Sequence, residues 1–553
     1  MSSITHGVET SKLKTSISTP VTVASGVPFA VGAAPVQMAD ETNVNKVVLV
    51  NSYDEAVAAF GYSDDWEKYP LCEVIYTAFV LYGIAPLLLV NILDPASDDF
   101  TVAVKAASMT AVNNKITLPF ETVASTIVVT GKTLNTDYAV TYTDSACVIE
   151  FFETTTTASV AYSKVVPEYA TGQQTDIPKA TYEVSDNTVT LPADTIASSI
   201  VITGKTLTTD YTVAVASTGV TITFTATTDS AEIAYSRSVS VGVQKTDIIG
   251  GIDASTLKAS GLQLIDDCYP TYKIAPDIIL CPGWSNDPNV AAAMVAKTEG
   301  INAIFEAIAI CDISTKASTG ATKYTDVPSW KSDNNFTNRN MIACWPMLKL
   351  GDTTFNHSTQ LACLIAQVDN DGEMGDGTPC ESASNKAYQA DSMVLADGTE
   401  VLLDLQKANY LNDNGVVTAL NLTGGFNSWG DYTACYPSNT DVADYMYSIN
   451  RMFKWVQKTV TLTYWSSIDG RMTRLLIDAV LQGVNDWLAG LVSEGKLLGG
   501  RVEFREDENS ETALLAGKAK FHVYISPPTP LVKLEFVFEY DASYLSTALL
   551  ASS

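Results

Sequence analysis

The chain has 553 residues, 46% of them apolar, with 33 Lys and Arg against 62 Asp and Glu and a formal net charge of −29. That length allows about three or four domains with sizeable cores, and the apolar share excludes a disordered chain. A surface this acidic repels phosphate, which argues against direct nucleic-acid binding and against docking on anionic lipid.

Nine cysteines stand at 72, 147, 268, 281, 311, 344, 363, 380 and 435. The number is odd and no pair is spaced CxxC, so they read as reduced, mostly buried thiols of a cytosolic product. The opening stretch MSSITHGVETSKLKTS has no apolar core and does not read as a secretory signal. The uncharged run 74–93 reaches the length of a membrane span. Gly83 and Pro86 interrupt it, and Glu73 and Asp94 flank it. It is read as a buried helix ending near 82–83 and a buried strand over 86–93, with no membrane insertion.

In chain order, residues 1–22 are polar, carry Pro20 and lack a helix period, so they read as an arm that needs a partner. A strand is predicted over 47–50. A helix over 53–60 follows, capped by Asn51 or Ser52, then a helix over 66–82 and the strand 86–93. This is an α/β unit. Residues 101–250 differ: Thr, Val, Ala and Ser dominate and β-branched residues alternate. Here residues 114–163 align with 187–236 at a constant offset of 73, with about half the positions identical. The best match is TGKTLNTDY (130–138) against TGKTLTTDY (203–211). Each copy is a small β module. The α/β pattern resumes after 251, with strands expected over 277–282, 303–311 and 340–350 and a helix over 289–297. The expected fold class is therefore mixed α/β and α+β, multidomain. Residues 23–100 and 251–440 form one discontinuous α/β domain, with 101–250 inserted at a surface loop and facing outward. Residues 441–525 form a C-terminal α+β domain with helices over 441–458 and 470–494 and strands over 501–504 and 520–525. After Pro527 and Pro528, the alternation over 533–540 is a strand pattern in a C-terminal arm, 526–553.

Motifs for chemistry are weak. GKT at 131–133 and at 204–206 ends like a P-loop, but Thr126 and Ser199 stand where the first Gly belongs, so both read as β-turns. Asp369, Asp371, Glu373 and Asp376 suggest a calcium loop, yet Met374 and Cys380 occupy the required Gly and Glu positions. An acidic solvent loop is the reading there. The only histidines are His6, His357 and His522, and a Cys-His site would have to use His357 beside Cys363. No catalytic residue, metal site or cofactor is assigned, and the chain is not read as an enzyme. Charge is more informative. Over 445–477 the chain carries Arg451, Lys454, Lys458, Arg471 and Arg474 against Asp469 alone, a local +4. Arg451, Lys454 and Lys458 share one helix face. That face is either solvated and paired with the chain's own carboxylates or a docking surface for an acidic protein.

The ends of the chain carry a family likeness: Thr5-His6-Gly7-Val8, PVTVASGVP (20–28), VGAAP (31–35), SYDEAV (52–57), GYSDDW (61–66), NILDP (91–95), APDIILCPGW (275–284), HVYISPP (522–528) and LEFVFEYD (534–541). In these pieces and their order the sequence resembles the contractile tail sheath proteins of phages and of phage-like particles such as R-type bacteriocins. The β insertion departs from that common core. The resemblance implies a subunit that stacks as hexameric rings around a tail tube in a metastable extended state. A baseplate signal then triggers contraction, which drives the tube through a target cell envelope. It implies partners in further copies of the chain, the tail tube protein, the baseplate and the tail terminator, and a place in a virion assembled in the bacterial cytoplasm. It also implies terminal arms that add strands to neighbours' sheets, with Val8, Val21, Val23, Leu534, Phe536, Phe538 and Tyr540 as the strand residues. Arg451, Lys454, Lys458, Arg471 and Arg474 are then the expected tube-facing basic surface. A repeat-containing surface or adhesion protein is the alternative, and an envelope-polymer hydrolase would need a carboxylate pair that no motif marks.

Overall fold

The computed structural model describes residues 24–371 and 376–550. Val8, Val21 and Val23 lie outside the described residues. Pro28–Gly32, Ile278–Leu280, Ile308–Asp312 and Met341–Cys344 are short runs buried along their whole length, which is what parallel strands under two helical layers require. They form the centre of an eight-stranded sheet ordered 48–50, 87–91, 28–32, 278–280, 308–312, 341–344, 416–420, 427–429. Interior pairs are parallel and both edge pairs are antiparallel. Alternate residues feed opposite cores. Phe29, Val31, Ile279 and Ala309 join one, while Ala30, Ile278, Leu280 and Ile310 join the other. The second core lies under helices Tyr53–Phe60, Pro70–Tyr76 and His357–Asp371. The first lies under Lys245–Ile249, Ile265–Tyr272 and Pro288–Ala296. The Ser52 hydroxyl accepts from the Glu55 amide at 3.2 Å, so the cap over 53–60 is Ser52.

Several element boundaries differ from the sequence reading. The helix expected over 66–82 starts at Pro70, whose fixed φ suits a first helical position, and continues as a π-helix over Thr77–Tyr82. The strand expected over 303–311 begins only at Ile308, after a turn closed by a bridge between Ile301 and Phe305. The run 340–350 is two strands, Met341–Cys344 and Met347–Leu350, divided at Pro346, which cannot donate to a ladder. The expected helix 441–458 is broken at Met446, whose backbone is extended, giving Val442–Tyr445 and then Tyr447–Tyr464.

The strands from Thr101 to Val241 make four three-stranded sheets. Equivalent turns are built alike. The Thr133 amide donates to Asp137 and the Thr206 amide to Asp210, each at 2.7 Å, and Lys132 and Lys205 each lie 5.4 Å from the ring centres of Phe151 and Phe224. These are strand–turn–strand connections, with the lysines committed to aromatic faces. The last strand ends at Val241 rather than 250, because Val243 and Ile248 belong to the main core. The two ends meet, with the Gly242 amide donating to the Asp99 carbonyl at 2.9 Å. Phe120, Val123 and Val165 pack into the main core, Phe120 edge-on to Tyr69 at 6.0 Å. Replacing 101–241 with a short linker is therefore expected to leave a folded chain whose melting temperature falls by about 5 °C, as Tyr69 loses its cover. Circular dichroism melting checks this, and an unfolded product would make the first module part of the core.

The C-terminal part packs helices Tyr447–Tyr464 and Arg474–Ser493 on the strand pair Gly499–Glu503 and His522–Ser526. Met452, Trp455, Val484, Leu488 and Leu491 form its core, with Trp455 and Trp487 rings 5.6 Å apart. Helix 474–493 is long and apolar enough to cross a membrane by length and composition, and here its buried residues Val484, Leu488 and Leu491 supply that core. Residues 531–540 form no strand, because an alternating segment becomes one only where a second strand accepts its hydrogen bonds. A short helix, Ser543–Leu550, follows.

Candidate functional site

Helix 447–464 carries the basic residues singled out by sequence, and its two sides are both covered. Met452, Trp455 and Val456 face the C-terminal core. Arg451, Lys454 and Lys458 face the amino-terminal edge of the parallel sheet and are 4%, 8% and 5% exposed. They are not a tube-facing surface of the subunit, and this corrects the expectation for all three.

Each cation meets a group at that edge. Arg451 pairs with Asp369 through both carboxylate oxygens, Nη1 lying 3.1 Å from Oδ1. Ser25 donates to the same carboxylate at 2.7 Å. Asp369 is thus the buried end of helix 357–371 and not part of an acidic solvent loop. Lys454 donates to the Ala307 carbonyl at 2.7 Å and to Asn340 Oδ1 at 2.8 Å, just ahead of strands 308–312 and 341–344. Lys458 donates to Asp277 at 2.5 Å and to the Ala24 carbonyl at 3.2 Å, just ahead of strands 278–280 and 28–32. The helix therefore crosses the sheet edge with its cations set among strand starts.

Burial dominates the electrostatics. It works against the Arg451 charge, but Asp369 outweighs it and holds the guanidinium above its ordinary range. Lys454 has neutral oxygens as its bonded partners, and burial pulls it down to about 7. Lys331, bonded to the carbonyls of Ala434 and Tyr436, is lowered by burial to about 8. Asp431, between Ser382 and Ser448 hydroxyls at 2.6 Å each, is raised by burial to about 6. His357 is lowered by burial to about 4 and bonds the Pro346 carbonyl and the Tyr388 hydroxyl. Its ring nitrogens are thereby committed to partners other than Cys363. His522 bonds Glu508 and stacks on Tyr524.

Burial raises Glu73 to about 8 from an ordinary 4.5, against the opposing hydrogen bonds of Asn356. The folded chain then keeps a proton that the unfolded chain releases, so stability falls as pH rises from 4.5 through about 8. Glu73→Gln is expected to flatten that slope. Melting temperatures across about pH 5 to pH 8 test it, and an equal slope in both proteins would remove Glu73 from the account. Nothing in the sequence marked Glu73, Asp312 or Asp431 as buried.

The two remaining basic residues lie elsewhere. Arg471 is exposed in the turn between the two C-terminal helices, and the Arg474 side chain, 76% exposed, pairs with Asp478 at 2.9 Å. Trp465, Ile468, Met472 and Leu475 are exposed around them. A second uncovered apolar segment is the C-terminal ribbon, where Leu534, Phe536, Phe538 and Tyr540 are 64%, 71%, 92% and 83% exposed. Val537, on the opposite side of the alternation, is 78% exposed. Within this chain the ribbon's apolar side chains stay open to solvent.

No protein-family model matches the sequence. The chain is 24% identical over 326 residues to the tail sheath protein of Burkholderia phage BcepMu, covering 58% of this chain and 66% of that protein. It is 30% identical over 173 residues to the major tail sheath protein of Serratia phage KSP20, covering 30% of this chain and 42% of that protein. This chain is similar in sequence to phage tail sheath proteins. It spans about two thirds of the first relative's length and under half of the second's. In fold, this chain is similar over 98% of its length to the whole subunit of the anti-feeding prophage helical sheath in its contracted state, with a TM-score of 0.52 and 10% identity. That likeness is one of fold, a mixed α/β multidomain subunit. In this chain the buried cations bind the C-terminal helix to the sheet, and the ribbon and the turn 465–475 are among the segments whose apolar side chains stay exposed.

Proposed function

We propose that this chain is the structural subunit of a contractile tail sheath, in a phage or phage-like particle assembled in the bacterial cytoplasm. Subunits stack as hexameric rings around the tail tube in a metastable extended form and contract to drive the tube through a target envelope. The observation that carries the reading is the uncovered apolar ribbon 531–540 in a relative of tail sheath proteins. Its backbone and side chains both call for a neighbouring copy, since strand addition satisfies hydrogen bonds and buries alternate side chains. Residues 1–22, with Val8, Val21 and Val23, are the proposed second arm. A contact of this kind does not close on itself and builds a helical filament. Contraction is then a change of packing between subunits. The inserted modules face outward. Tube, baseplate and tail terminator proteins are the proposed partners, without direct nucleic-acid contact, membrane insertion or enzymatic chemistry.

Negative-stain electron microscopy of the purified chain, with and without its tail tube, tests the reading. Hollow cylinders or sleeves on the tube are expected, and dispersed subunits under both conditions would overturn it. The tube-facing role passes to Arg471 and Arg474, which remain on the surface. Reversing both to Glu is expected to cut the yield of tube-bound sleeves at least about tenfold in low salt, with melting unchanged. An unchanged yield returns these arginines to the solvated surface.

A further inference from the structure

The chain emerges from the main sheet toward its amino terminus at residues 24–27, and this short root is held from three sides. The Ser25 hydroxyl donates to Asp369 at 2.7 Å, and Asp369 is the partner of Arg451. The Ala24 carbonyl accepts from Lys458 at 3.2 Å, and Lys458 also pairs with Asp277 at 2.5 Å. Asp277 in turn bonds the root: its amide donates to the Val27 carbonyl at 3.0 Å, and its carboxylate accepts from the Val27 amide at 3.4 Å. Gly26 lies at φ +71°, where a Cβ would stand 2.9 Å from both the Ala366 Cα and Asp369 Oδ2. The root is therefore seated against helix 357–371 as closely as a backbone can be. Arg451 and Lys458 are seven residues apart on one helix, two turns; Lys458 reaches the root directly at the Ala24 carbonyl, and Arg451 reaches it through Asp369, which holds Ser25.

We propose that helix 447–464 is the lock on the root of the N-terminal arm, so that a pull on residues ahead of 24 is delivered through Arg451 and Lys458 to the C-terminal domain. The proposal rests on the sheath reading for the pull itself, since a linking arm is what a neighbour would draw on. The lock as a structure does not depend on it. Separation along the chain gives it a second consequence. The root is made first and its clamps more than 400 residues later, at 451 and 458. The contacts of the root with Asp277 and helix 357–371 precede these clamps along the chain, and docking of the C-terminal helix completes the set.

Hydrogen exchange resolved to single amides, on the full-length chain and its Lys458→Met variant, tests this. Exchange at Gly26 and Val27 is expected to rise at least about tenfold in the variant, while the amides of strand 308–312 keep their parent rates. Unchanged rates at Gly26 and Val27 would overturn the lock. If Lys458→Met does not fold, Ser25→Ala carries the same test from the arm side. It removes one hydrogen bond to Asp369, and an unchanged Gly26 rate in that variant likewise overturns the proposal. Sleeves of the parent and of each folded variant are then pulled apart by brief sonication. Variant sleeves that shed single rings at lower power than parent sleeves support delivery of the pull through the lock, and equal breakage overturns that part. Failure of the parent to make sleeves at all counts against the sheath reading alone, because the exchange rates are read on dispersed subunits.

Discussion

A chain ending at residue 530 is expected to fold with its melting temperature within about 2 °C of the parent and to form no sleeve on the tail tube. Residues 531–545 are exposed throughout and no described residue after 530 belongs to either core of the α/β domain or to the C-terminal core, so ending the chain there takes nothing from them. What is lost is the surface they offer to another copy. Burying Leu534, Phe536, Phe538 and Tyr540 would yield on the order of 6–12 kcal/mol per subunit before the cost of ordering the ribbon. Strand hydrogen bonds add about 0.5–1.5 kcal/mol each. Repeated at every subunit, that is the difference between a polymer and a solution of monomers. Melting curves and electron microscopy on the same preparation decide it. Sleeves of normal length from the shortened chain would sink the linking role of the ribbon.

The second large effect is on stability. Asp369→Ala is expected to destabilise the chain by about 3–5 kcal/mol, lowering the melting temperature by roughly 5 °C. The change leaves the Arg451 guanidinium, 4% exposed, without its carboxylate, and strands the Ser25 hydroxyl as well. The cost is that of a buried uncompensated charge and not of a lost surface attraction. Two comparisons identify it. Arg471→Ala, on the surface, is expected to change stability by no more than about 0.5 kcal/mol. The double change Asp369→Leu with Arg451→Met removes both charges, and it is expected to recover most of the loss. A double variant as unstable as Asp369→Ala would show that packing around the pair, and not its charge, sets the cost.

Sequence and structure agree at several elements whose signal is local. The buried strands Leu87–Asn91 and Ile278–Leu280 fall within the apolar runs expected over 86–93 and 277–282. Ser52 caps a helix because its hydroxyl reaches an amide three residues on. The paired turns at 131–137 and 204–210 repeat because their residues repeat. The alternation at 533–540 is legible in the sequence, yet residues 531–540 form no strand within this chain.

What only the tertiary structure decided is the meaning of the charges. Arg451, Lys454 and Lys458 lie at helix spacing, and a helix face of that kind is ordinarily solvated. Their partners are 82, 114 and 181 residues away, at Asp369, Asn340 and Asp277. Composition and periodicity carry no record of which distant strand starts lie under a helix. The apolar residues on the other side of that helix, Met452, Trp455 and Val456, were the one local hint that both sides are covered. Spacing along a chain specifies the face a residue occupies, while the solvent or carboxylate opposite that face is supplied by the rest of the fold.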